Sequence, residues 1–106
     1  MSGTVDVEIF AALGDATRWR ILQKVGREPS SASALAEQLP VTRQAIVRHL
    51  DVLERAGLVE SRRHGRERRY VALGARLNAA ARLLADLGAG WDTRLASIRS
   101  AAENEA

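Results

Sequence analysis

A chain of 106 residues has the length of one domain, enough for a hydrophobic core yet short enough that a second copy is expected to cover part of its apolar surface. It holds no cysteine, which excludes a disulfide framework, a thiol switch and a thiolate metal site; no apolar run reaches the roughly 20 residues that span a bilayer, and no leader-like start is present, so the expectation is a cytoplasmic protein with no membrane partner. The net charge of +3 is localised: residues 1–30 and 74–106 each balance four basic against four acidic side chains, whereas 31–73 sets eight arginines against five carboxylates. A basic surface confined to one module suits phosphate binding better than a uniformly solvated charged face does.

In chain order, Val5, Ile9, Phe10 and Leu13 recur at helical spacing and predict a short first helix ending at Gly14. Asp15 stands where an N-cap belongs, opening a second helix through Trp19, Ile21, Leu22 and Val25 that is expected to stop at Gly26. The stretch GREPSSAS reads as a loop, with Ser31 or Ser33 capping a third helix that runs to Leu39 before Pro40. Thr42 then caps a fourth helix, from Arg43 to about Ala56, closed by Gly57. Its stripe Ile46, Leu50, Leu53 faces the core, which turns Arg43, Gln44, Val47, Arg48 and Asp51 outward.

That outward set suits the major groove of duplex DNA. Arginine forks onto guanine, glutamine onto adenine, and a valine can pack on a thymine methyl, while Thr42 and the first-turn amides suit a phosphate. Two short strands follow, Leu58 to Arg63 and Arg68 to Leu73, around a turn containing His64 and Gly65. Arg62, Arg63, Arg66, Arg68 and Arg69 crowd this hairpin. Charged strands also protect an edge from aggregation, but directly after a helix-turn-helix they read as a wing that tracks phosphates, with Arg66 and Arg68 foremost and His64 able to join when protonated. The candidate DNA-binding set is therefore Thr42, Arg43, Gln44, Val47, Arg48, Arg62, Arg63, His64, Arg66 and Arg68.

From Ala75 on, Leu77, Leu84, Trp91 and Ile98 fall seven apart with Leu87 and Leu95 between them, a heptad-like seam longer than the domain needs. It predicts a homodimer through Val5, Ile9, Phe10, Leu77, Leu84, Leu87, Trp91, Leu95 and Ile98. Folding back as core is the competing reading, with Gly88 and Gly90 breaking the segment into two helices.

The stretches FAALGDATRWRIL (10–22), ALAEQLPVTRQAIVRHLDVLERAGLV (34–59) and RRHGRERRYVAL (62–73) resemble the ArsR/SmtB-type winged-helix transcriptional regulators of bacteria, over about two thirds of the chain. The specific parts are Asp15-Ala16-Thr17-Arg18, the His49-Leu50 and Leu53 spacing with Ala56-Gly57-Leu58-Val59, and Gly65-Arg66. The resemblance implies a homodimeric repressor, joined through its first and last helices, that binds an imperfect palindrome and leaves it when an inducer appears. The chain departs from the metal-sensing members: Ser31 and Ser33 stand where their cysteine pair lies, and residues 75–106 contain no histidine. His49 reads as a packing and hydrogen-bonding residue. Neither a metal nor a cofactor is expected, and any signal would have to be a small molecule in the dimer cleft, a partner protein or a change in protein level, among which the residues do not choose.

The fold expected is mainly α with a small β-hairpin (α+β), a homodimeric winged helix-turn-helix. One domain covers 1–106: a DNA-binding core at 10–73, dimerisation helices at 1–13 and 75–101, and a frayed tail at 102–106. No phosphate loop, catalytic triad or paired carboxylates argue for an enzyme. The alternatives are a winged helix whose basic face meets an acidic protein, against which Arg43-Gln44 speaks, and a repressor that senses a metal without thiols or a small molecule. The four aromatics, Phe10, Trp19, Tyr70 and Trp91, suit packing better than stacking on single-stranded bases.

Overall fold

A computed structural model describes the backbone of residues 3–105 and the side chains of 7–104. Along the chain run α1 (Gly3–Leu13), α2 (Ala16–Arg27), β1 (Ser30–Ser31), α3 (Ala32–Gln38), α4 (Arg43–Arg55), β2 (Val59–His64), β3 (Glu67–Ala72) and α5 (Gly74–Glu105). The strands form one antiparallel sheet in the order β1-β3-β2.

Three helices begin where a short polar side chain meets their free amides. Asp15 accepts from the Arg18 amide at 3.0 Å, Ser31 from Ala34 at 3.1 Å and Thr42 from Ala45 at 3.1 Å, so that of the two serines expected to cap α3 it is Ser31 that does so. The second helix runs past Gly26 to Arg27. Gly26 costs it about 1 kcal/mol but does not stop it; the stop comes at Glu28, extended at φ −158° and ψ 150° because the following Pro29 excludes the helical region. The GREPSSAS stretch is no plain loop either, since Ser30 and Ser31 pair with Tyr70 and Arg69 along the edge of β3.

The core gathers where α2, α3, α4 and the hairpin converge. Ile21, Leu35, Ile46, Leu50, Leu53 and Leu58 are fully enclosed, and the expected inward stripe of α4 is among them. Ile9 of α1 is only 2% exposed, so its side chain belongs to this core and has no area left to offer a second copy, contrary to the sequence expectation. Gly57 ends α4 with φ 75°, a left-handed conformation that glycine adopts without penalty. Leu58 then turns back into the core, its amide donating to the Leu53 carbonyl at 2.9 Å.

Both strands lie one residue later or earlier than the sequence predicts, because His64 is the last residue of β2, opposite Glu67, and the turn is the pair Gly65-Arg66 with Gly65 at φ 66°. The C-terminal segment is a single helix of 32 residues. Gly88 and Gly90 do not divide it, and the stretch expected to fray is helical through Glu105. At 1.5 Å per residue such a helix is about 48 Å long. Its start packs on α1 and its far half projects. The radius of gyration of 18.9 Å therefore exceeds the roughly 13 Å of a compact chain this size.

Candidate nucleic-acid interface

The Thr42 hydroxyl oxygen is engaged in capping α4, which leaves its proton free to donate and leaves the amides of Arg43 and Gln44 without an acceptor inside the helix. Arg43, Gln44 and Arg48 are exposed along one side of this helix, with Thr42 at its head. Val47 is half-buried against the core, so only part of its surface faces outward. Asp51, one turn further on, is exposed as well and closes the basic stretch with a negative charge.

Arg43 is held by a contact that no local rule would predict. Its Nε donates to the Ser33 hydroxyl at 3.1 Å, across the turn between α3 and α4. The two terminal guanidinium nitrogens remain available, and those are the pair that forks onto a guanine edge.

The wing has two chemically different faces. Register and strand alternation put Glu60, Arg62, His64, Glu67, Arg69 and Val71 on one side, and Ser61, Arg63, Arg68 and Tyr70 on the other. On the first side each arginine brings its own counter-ion: Arg62 bonds Glu60 at 3.0 Å and Arg69 bonds Glu67 at 2.8 Å. The bond from Arg69 holds the Glu67 carboxyl below its ordinary range, with a smaller contribution from Ser31. On the second side Arg63 stands directly opposite Arg68, and Arg66 occupies the turn. Among the described residues these three have no carboxylate partner. Two like charges facing each other across a strand pair destabilise it unless an anion lies near.

Helix and wing share one cleft. It measures about 530 Å³ and is lined by Ser33, Arg43, Val47, Arg66, Arg68 and Tyr70, together with Ser31, Ala32 and Glu67. Thus Arg43, Val47, Arg66 and Arg68 of the sequence-derived set come together, Thr42, Gln44 and Arg48 continue along the helix, and Arg62, Arg63 and His64 lie around a separate hollow beside Pro29. Sequence reasoning missed Ser33 as the holder of Arg43. It also missed the neutralising carboxylates, although a Glu-x-Arg spacing on each strand, which puts both side chains on one face, carried that signal.

Away from this side, Leu84, Leu87, Trp91, Leu95 and Ile98 are each more than half exposed along α5, and Val7 of α1 is 66% exposed. Phe10 and Leu77 are partly buried against the core, and the Val5 side chain lies outside the described ones. Arg94 sits 5.0 Å from the Trp91 ring centre, a cation over an aromatic face. Ser31 and Ser33 are occupied as a cap and as the acceptor for Arg43, and among the described residues no three histidine or acidic side chains gather as a metal site would need. No described helix is long and apolar enough to cross a membrane.

A helix-turn-helix domain family matches residues 13–62. The HTH-type transcriptional regulator YuzN of Bacillus subtilis (strain 168) is 44% identical over 75 residues, 64% of this chain and 80% of that protein. The structure of an ArsR-like transcriptional regulator from Rhodococcus sp. RHA1 superimposes with a TM-score of 0.82 at 55% identity, covering 93% of this chain and 95% of that one. The homodimeric winged helix-turn-helix DNA-binding domain from Mycobacterium bovis superimposes with a TM-score of 0.66 at 26% identity over 84% of this chain and 80% of its own.

Proposed function

Since this chain belongs to the ArsR-type winged-helix transcriptional regulators and is a DNA-binding regulator of transcription, we propose that it acts as a cytoplasmic homodimeric repressor on a palindromic operator. In this reading α4 enters the major groove and the wing grips the flanking backbone. Base readout falls to Arg43, Gln44 and Arg48, with a partial methyl contact from Val47. Thr42 and the free first-turn amides take a phosphate, and Arg63, Arg66 and Arg68 take the backbone at the wing, with Arg62 and His64 contributing less.

The observation that carries this reading is the single cleft in which α4 meets two of the unneutralised wing arginines, Arg66 and Arg68. A cleft bounded by Arg43 on a helix and Arg66 and Arg68 on a hairpin matches a phosphate backbone followed from groove to flank. The second copy is drawn in by the apolar seam of α5, which has no partner within one chain, and by the homodimeric state of the Mycobacterium bovis domain. We assign 10–73 to DNA binding and the exposed parts of α1 and α5 to dimerisation. No enzymatic role is assigned; a small-molecule effector would enter through the dimer.

The test is fluorescence anisotropy on the duplex upstream of the protein's own gene and on a shuffled duplex, across a salt series. Preference for the upstream duplex that survives rising salt, at two protomers per site, is the expected result. If the shuffled duplex binds equally well and salt erases both, an operator at that position is ruled out. If neither duplex binds, the basic face serves an acidic protein instead.

A further inference from the structure

We infer that Arg18 is a positioning residue for the readout helix, acting through His49, so that losing the Arg18–His49 contact loosens sequence-specific DNA binding. This rests on α4 being the DNA-reading element. The Arg18 side chain is only 19% exposed, and its guanidinium reaches three elements at once. Its Nε donates to the Ala12 carbonyl at 2.8 Å, one terminal nitrogen donates to the Ala11 carbonyl at 3.3 Å, and the other lies 3.4 Å from His49 Nδ1 and 4.0 Å from the Asp15 carboxylate. Ala11 and Ala12 are in the last turn of α1, whose carbonyls lack partners within the helix. Asp15 caps α2, and His49 lies halfway along α4, beside Arg48. One side chain thus ties the end of the dimer-side helix to the middle of the readout helix.

The chemistry of the pair fixes the direction of the bond. Arginine carries only donors and keeps its charge, so the facing His49 Nδ1 must present a lone pair, which places the ring proton on Nε2. An imidazolium would carry a proton on Nδ1 as well, replacing the hydrogen bond with two cations at 3.4 Å. The other charges at this junction are Asp15, which offsets part of that repulsion, Glu8 of α1 and Arg55 of α4 around the adjoining cleft, and Arg48 and Asp51 flanking His49 on its own helix.

The experiment uses the full chain carrying His64→Gln, in which His49 is the remaining histidine, and the duplex that this protein enriches from a randomised pool at pH 8. His49→Asn in the same background, which keeps an amide oxygen near the Nδ1 position, is expected to retain its affinity for that duplex. Arg18→Lys cannot reach all three partners and is expected to lose about fivefold or more in affinity for that duplex while still melting cooperatively. In the absence of DNA, nitrogen NMR of the imidazole is expected to show His49 protonated at Nε2 at pH 8, a bias that weakens in Arg18→Lys. Protonation at Nδ1, or unchanged affinity in Arg18→Lys, overturns the inference. If no duplex enriches, the DNA reading has failed, and the His49 tautomer still decides the Arg18 tie.

Discussion

At the scale of single residues, the interface is a matter of which arginines are already neutralised. Arg62 and Arg69 carry bonded glutamates, whereas Arg63, Arg66 and Arg68 do not. Arg63→Ala, Arg66→Ala and Arg68→Ala are each expected to weaken binding to all duplexes alike and to reduce the salt slope by about one unit, as loss of one phosphate contact does. Arg62→Ala should change the slope far less, because Arg62 is already paired with Glu60 and so releases fewer of the cations condensed on the DNA. Arg43→Ala belongs to a different class: it should cost about 1–3 kcal/mol on the preferred duplex and little on shuffled DNA, measured by anisotropy on both. The acid limb of stability is also set residue by residue. Asp15 and Glu67 are held below their ordinary values of 3.8 and 4.5, chiefly by the Arg18 amide and the Arg69 side chain respectively. A carboxylate with a lowered folded-state value stabilises the fold above its unfolded value, and that contribution disappears as pH falls through the folded one. Melting temperatures should therefore be level down to about pH 5 and drop below about pH 4, with Asp15→Asn and Glu67→Gln flattening the drop.

At the scale of elements, α4 depends on its two ends. Thr42→Ala removes the cap and should cost about 1 kcal/mol, read by urea denaturation. Gly57→Ala should cost more than a cap, about 1–2 kcal/mol from the left-handed backbone alone, since a Cβ there would also stand 2.8 Å from the Arg76 side chain. Both ends were legible in the sequence, because a hydroxyl cap, an inward stripe and a terminal glycine are local signals, and the outward face followed from the stripe by geometry. What was not legible depended on tertiary context. A two-residue strand exists only where β3 offers an edge to Ser30 and Ser31. The continuity of α5 through two glycines cannot be read from propensity, which gives each a cost but no threshold. Ile9 has the same helical spacing as its neighbours, and only packing decides that it turns into the core while Val7 turns out. In the candidate site, composition and spacing gave the charges, but the pairing of Arg43 with Ser33, ten residues away, required the fold.

At the scale of the whole molecule, the protein is a small winged body with a long helix attached that carries an exposed apolar seam. Leu87→Glu together with Leu95→Glu should halve the mass seen by light scattering and weaken operator binding, while leaving the winged body folded by circular dichroism, because neither side chain contributes to its core. The melting temperature of the unaltered protein should rise with its concentration, as it does when folding and association are linked. The projecting half of α5 also has a consequence for dosage. A palindrome recognised only by paired chains fills with the square of the free chain concentration while single copies predominate, so occupancy changes steeply over a narrow range of abundance. A gene under such control would respond to how many copies of its regulator the cell contains.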